Sequence, residues 1–143
     1  MSAIDLAAGL VRQFEGCKLT AYKDGGGVWT IGYGHAAGAH EGLVWTQEQA
    51  EAALTTDLQN AAMGLFGLIK ATVSDRQMAA VISLAFNVGA GALKGSMLIT
   101  AVNDGRWSDV VRQFIAWDHD NGKEVKGLLH RRLIEAATYL EGA

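Results

Sequence analysis

The chain has 143 residues, 50% hydrophobic and 19% charged, enough for one compact domain burying roughly 68–70% of its unfolded surface and too apolar for disorder. Twelve basic against 15 acidic residues give a net charge of −3, with 5 basic and 8 acidic residues in positions 1–93 and 7 of each in 94–143, which excludes the basic face that duplex nucleic acid requires. The single Cys17 excludes an intrachain disulfide and reads as a small, half-buried apolar residue.

No apolar run reaches the roughly 18 residues of a membrane span, and Asp5 and Arg12 interrupt the first apolar stretch where a signal peptide needs its apolar centre. The expected product is cytoplasmic when made, without a signal peptide or stable membrane insertion.

The chain contains no proline and 18 glycines, so helix ends must be marked by caps and glycines. Ser2 with Asp5 resembles a capping box, and Ile4, Ala7, Leu10, Val11 and Phe14 then recur at three- and four-residue spacing, predicting a helix over 3–15. From Leu19 to His35 the helical period disappears. Tyr22, Val28, Trp29, Thr30, Ile31 and Tyr33 flank Gly25, Gly26 and Gly27, predicting a β-hairpin or small three-stranded sheet.

Thr46 and Gln49 form a second capping box, followed by the stripe Ala50, Leu54, Leu58, Ala61 and Leu65 of a long helix suited to joining two lobes. A third box, Ser74 with Gln77, opens a helix through Met78, Val81, Ile82 and Ala85 that stops near Gly89. Shorter helices follow: Leu98 to Val102, ending at Asn103-Asp104-Gly105; a segment capped by Ser108 with Val110, Val111 and Phe114; and a last helix striped by Leu129, Leu133, Ala136 and Leu140. Sheet residues confined to 19–35 among helices define an α+β chain, 1–143 as a single domain. Its sheet lobe spans about 16–45; its helical lobe spans about 67–143 plus the N-terminal helix, with a cleft between lobes as the expected site.

The polar residues outside helix surfaces concentrate in 15–24 and 28–35. Glu15 falls at the negative end of a helix dipole, a placement that costs stability unless a cation compensates. A second carboxylate, Asp24, opens the glycine turn, and Thr30 follows in the next strand. Two carboxylates from different elements suit glycoside hydrolysis, one as acid toward the leaving oxygen and one for the nucleophile or its water; a threonine hydroxyl can hold that water. The same spacing is also met by plain capping and turn chemistry.

Other polar features have simpler readings. His35 suits a structural hydrogen bond at a strand end. His40-Glu41 and Asp118-His119-Asp120 lack the spacing of a zinc or calcium site and read as solvated loops. Gly32-x-Gly34 lacks the helix and third glycine of a dinucleotide fingerprint. Trp107, Phe114 and Trp117 read as core. Arg131-Arg132 is either a solvated pair or the source of the cation that compensates Glu15.

The run Glu15-Gly16, Tyr22-x-Asp24, Gly27-Val28-x-Thr30-Ile31-Gly32-Tyr33-Gly34-His35 resembles the signature of the phage-type lysozymes, the endolysins of glycoside hydrolase family 24. The likeness continues through Phe86-Asn87-Val88-Gly89, Leu93, Ser96, Asn103-x-Gly105, Trp107, Trp117, Gly127-Leu128, Arg131-Arg132 and Glu135. It implies a lysozyme-like fold and a muramidase that cleaves the β-1,4 bond between N-acetylmuramic acid and N-acetylglucosamine in bacterial peptidoglycan. In this resemblance Glu15 is the general acid, Asp24 and Thr30 hold the attacking water in an inverting displacement, and Phe86, Ser96 and Gln113 contact substrate. Ala36 stands where relatives carry a larger group.

The resemblance implies no cofactor and no metal, peptidoglycan as partner, a monomer, and residence in the host bacterial cytoplasm before release to the wall. The alternatives are a lytic transglycosylase using Glu15 alone or a silent wall-binding domain. The charge balance predicts weak long-range attraction to an anionic wall, leaving steering to Lys94, Arg112, Lys123, Lys126, Arg131 and Arg132.

Overall fold

The computed structural model describes the chain apart from Asn121, Gly122 and Val125 and the side chains of residues 119, 120, 123, 124 and 126. Helix α1 covers Ala3–Phe14, and its capping box is complete: Ser2 accepts the Asp5 amide while the Asp5 carboxylate accepts the Ser2 amide. Ala7, Ala8 and Val11 form its buried stripe. The helix ends one residue before the expected boundary, because Glu15 is already extended at φ −103°, ψ 130°.

Strands β1 (Lys18–Lys23) and β2 (Trp29–Gly32) pair antiparallel, with Tyr22 opposite Thr30 and Lys23 opposite Trp29. Of the two expected forms, the sheet is the two-stranded hairpin. Leu43 to Trp45 runs beside β1 through a single bridge, Thr20 to Val44, and two backbone hydrogen bonds, too short a pairing to make a strand.

Helix α2 (Gln47–Leu65) is capped by Thr46 and Gln49 and buries Ala50, Leu54, Leu58 and Leu65, the expected stripe. Helix α3 (Asp75–Val88), boxed by Ser74 and Gln77, is buried at every position from Ala79 to Ala85 and stops at Gly89, whose φ of 89° only glycine adopts readily. It is the core helix, packed against α1, α2 and the last helix, α7 (Lys126–Glu141). Between them lie α4 (Ala90–Leu93), which the periodicity did not reveal, α5 (Met97–Asn103) and α6 (Trp107–Ala116).

Asn103 secures the preceding loop: its side-chain oxygen accepts the Lys70 and Ala71 amides, and its amide donates to the Leu68 carbonyl. Beyond α6, the backbones of His119–Asp120 and Lys123–Glu124 pair antiparallel as two short strands, β3 and β4, where a loop was expected.

Four expectations need correction. Ser108 lies inside α6; Arg106 occupies the cap position with no side-chain cap bond, and its guanidinium instead bridges Asp104 and Asp109. Trp107 is 47% exposed, so of the three aromatics only Phe114, against Tyr139, and half-buried Trp117, at the helix end, join Val110 on the core side. Arg131 and Arg132 are buried and cannot steer substrate from the surface, whereas Lys94 and Arg112 are exposed. The metal reading at His119 and Asp120 and the steering role of Lys123 and Lys126 lie outside the described residues; Asp118 is buried rather than solvated.

Candidate active site

A cleft of about 690 Å³ is lined from the hairpin by Tyr22, Asp24 and Thr30, from the end of α1 by Glu15, from α2 by Asp57, Asn60 and Ala61, and from the end of α3 by Phe86 and Asn87. Strand pairing explains the hairpin contribution. Tyr22 opposes Thr30, and the Asp24 amide donates to the Val28 carbonyl at 2.9 Å. Residues two apart in a strand share a face, so Tyr22, Asp24 and Thr30 emerge on the same side.

Asp24 is held by its own turn. Its Oδ1 accepts the Gly26 and Val28 amides, each at 2.9 Å, which leaves Oδ2 without a hydrogen bond among the described residues. Thr30 is 5% exposed and its hydroxyl donates to the Val28 carbonyl at 3.0 Å. With its proton so committed, the hydroxyl oxygen offers only lone pairs to the cleft.

Glu15 is held differently. Arg131 Nη1, from α7, donates to Glu15 Oε1 at 2.9 Å, and the guanidinium lies over the Phe14 ring at 4.8 Å. Arg131 is therefore the cation that compensates the carboxylate at the end of α1. Its neighbour Arg132 serves another role: fully buried, it donates to Glu135, to the Asn87 side-chain oxygen and to the Trp117 carbonyl. Glu135 also accepts the Ser83 hydroxyl at 2.5 Å and lies 3.9 Å from Arg131 Nε. Burial pushes the Glu135 carboxyl up, opposed by the charges and hydrogen bonds of Arg132, Ser83 and Arg131. A buried polar network thus backs the cleft, reaching it at Glu15 and at Asn87.

Gly34 completes the setting of Glu15. At φ 80°, a Cβ there would stand 3.7 Å from Glu15 Oε2, so a glycine keeps open the space beside the oxygen that Arg131 does not hold. Tyr22 reports both carboxylates: burial, then Glu15 and Asp24, push its phenol up.

His35 also lines the cleft, with Nδ1 2.7 Å from Asp57 Oδ2 and Nε2 2.8 Å from the Ala37 carbonyl. It ties the hairpin to α2, the structural use the sequence suggested. Ala36 and Ala37 form part of the rim. Phe86 is in the cleft, but Ser96 and Gln113 are not among its lining residues: the Ser96 hydroxyl caps α5 by accepting the Ile99 amide, and Gln113 is half-buried on α6. Asn87, Asp57 and Asn60 were not singled out as site residues. Only Asn87 had a signal, in the Phe86-Asn87-Val88-Gly89 run. Among the described residues no three of His, Cys, Asp and Glu converge as metal ligands, and no helix is long and apolar enough to cross a membrane.

The phage lysozyme family model matches residues 12–135. The chain is similar to the endolysin of Bacillus phage B103, 38% identical over 136 residues that cover 93% of this chain and 52% of that protein. It is also similar to the endolysin of Acyrthosiphon pisum secondary endosymbiont phage 1, 38% identical over 134 residues, 91% of this chain and 92% of that protein. The chain thus spans about half of the first relative and nearly all of the second. Among solved structures, the endolysin from Escherichia coli O157:H7 phage FAHEc1 superposes with a TM-score of 0.89 at 30% identity, over 100% of this chain and 96% of that one. With the match running from α1 into α7, the chain belongs to the phage lysozyme family of endolysin-type hydrolases.

Proposed function

We propose that the chain is a muramidase that hydrolyses the β-1,4 bond between N-acetylmuramic acid and N-acetylglucosamine in bacterial peptidoglycan, with inversion at the anomeric carbon. The observation that carries this reading is the gathering of Glu15, Asp24 and Thr30 in one cleft. In the proposed step Glu15 is protonated. Because Oε1 accepts from Arg131, the proton sits on Oε2, the oxygen facing the space above Gly34, and passes to the glycosidic oxygen as the bond breaks.

Water on the opposite face of the sugar is oriented by two acceptors. One hydrogen points to Asp24 Oδ2, which removes it, and the other to Thr30 Oγ1, whose own hydrogen is held by the Val28 carbonyl. The water lone pair is then left for the anomeric carbon. Inversion requires room for that water, roughly 6.5–9.5 Å between carboxyl groups.

The chain is proposed to act as a single monomeric domain, made in the host bacterial cytoplasm and released to the wall. The test is product analysis on purified peptidoglycan. A new N-acetylmuramic acid reducing end, first formed as the α anomer, is expected. A β anomer overturns inversion, an anhydro end indicates a lytic transglycosylase, and absence of cleavage indicates a silent wall-binding domain.

A further inference from the structure

Helix α2 presents Asp57, Asn60 and Ala61 to the cleft at i, i+3 and i+4, one face of the helix. One turn beyond, Gly64 approaches α4 so closely that a Cβ there would stand 2.5 Å from that of Ala90. The cleft-lining stretch of α2 therefore continues directly into the α4 contact, and Ala85, Phe86 and Ala90 line the same cleft.

The polar groups of this cleft are mostly committed. Asp57 holds His35, the Asn87 oxygen takes Arg132, Thr30 gives its proton to Val28, and Glu15 Oε1 is bound by Arg131. Asn60 is the cleft side chain with both a free donor and a free carbonyl on one group: exposed, it makes no hydrogen bond with either end of its carboxamide among the described residues. A carboxamide both donates and accepts, so it can exchange two hydrogen bonds with a secondary amide. In the same cleft, Ala61, Ala85, Phe86 and Ala90 offer apolar surface suited to a methyl group. An amide N–H and C=O with a methyl attached is the 2-acetamido substituent of an N-acetylated sugar.

We propose that Asn60 is a specificity-determining residue that reads the 2-acetamido group of one sugar of the bound glycan; this rests on the muramidase reading of the cleft. A sugar carrying a 2-hydroxyl instead leaves one end of the carboxamide unpaired and the apolar surface uncovered. Loss of a hydrogen bond of this kind corresponds to about tenfold in affinity.

The test is titration of the protein with chitotetraose, the N-acetylglucosamine tetramer, and with cellotetraose, its neutral 2-hydroxyl counterpart, for the parent, Asn60→Ala and Asn60→Asp. The parent is expected to prefer chitotetraose by about tenfold or more. In both variants that ratio falls toward one, through weaker chitotetraose binding, with the melting temperature held. Asn60→Asp keeps the shape and removes the donors, so a merely structural role would leave its ratio at the parent value. A parent without preference, or variants that keep the parent ratio, overturns the assignment. Peptidoglycan cleavage is measured in parallel: failure of the parent to cut overturns the muramidase reading, while the binding ratio still decides the role of Asn60.

Discussion

The two carboxylates that face one another in the proposed reaction are secured by opposite strategies. Asp24 is held by amides two and four residues away in its own turn. Glu15 depends on Arg131, a side chain 116 positions away in sequence, itself embedded beside the Glu135–Arg132 pair. The first arrangement forms whenever the hairpin forms. The second exists only once α7 has packed against α3 and α6 and brought Arg131 to the end of α1, so the state of the whole helical core is felt at the general acid and hardly at the water-holding side.

The largest expected effect removes the chemistry from each side while keeping its support. Glu15→Gln lowers the rate of reducing-end release by about 10²- to 10⁴-fold, because an amide cannot protonate the leaving oxygen, and Asp24→Asn is nearly as damaging. Both fold, since Gln accepts from Arg131 and Asn accepts the two turn amides as before. Retention of a tenth of parental activity by Glu15→Gln removes it from the acid role.

Next in size is the support of Glu15. Arg131→Met takes the cation from Glu15 and from the vicinity of buried Glu135, and thermal or denaturant unfolding should show a loss of about 1–3 kcal/mol, with activity reduced as well. The full cost of breaking a buried ion pair is not reached, because Glu135 keeps Arg132 and Ser83. Unchanged stability with unchanged activity would mean that the Glu15 contact is incidental.

On the hairpin side the comparison sharpens through a pair of substitutions at one residue. Asp24→Ala should be less stable than Asp24→Asn by about 1–2 kcal/mol, the difference being the two amide bonds at Oδ1. Both lack the carboxylate, so their residual activities should agree more closely than their melting temperatures. A wide split in activity would show that turn geometry, rather than charge, limits the reaction.

The smallest effect concerns an exposed pair away from the cleft. Arg12 Nη2 lies 2.7 Å from Glu51 Oε2, and Glu51 also accepts from Tyr33 and Gln47. Arg12 first, then these hydrogen bonds, hold the Glu51 carboxyl below its ordinary value of 4.5. A depressed carboxyl contributes stability that is present above that ordinary value and is lost as pH falls through the folded one. Arg12→Met should therefore cost under about 1 kcal/mol at neutral pH, and the difference in melting temperature from the parent should shrink on acidification below pH 4.5. A difference that grows there contradicts the pairing.

The sequence was informative wherever structure is local. Three capping boxes marked α1, α2 and α3, and each is closed in both directions. The cluster of glycines after Asp24 marked the hairpin turn, and the observed pairing of Tyr22 with Thr30 then brings Tyr22, Asp24 and Thr30 to one face. It misled where tertiary partners decide. Ser108 looked like a cap, but α6 starts at Trp107, two residues before a Ser108 cap would begin it, with Arg106 at the cap position paired to Asp104 and Asp109. Trp107 looked like core by spacing, yet the first turn of α6 leaves it 47% exposed.

The adjacent Arg131 and Arg132 measure the boundary most sharply. By sequence they are either a solvated pair or the source of the cation that answers Glu15. Neighbouring helical residues point about 100° apart around the axis, so α7 can direct one guanidinium to Glu15 and bury the other against Glu135 and Asn87. Which did which was set by the packing of α7 on α3 and α6, not by composition. The sequence alone determined the starts of α1, α2 and α3, the hairpin and the local seat of Asp24, because hydrogen bonds between residues two to four apart need no distant partner. The tertiary structure alone decided the partner of Glu15, the polar network behind it and the open carboxamide of Asn60, because these depend on where whole helices come to rest.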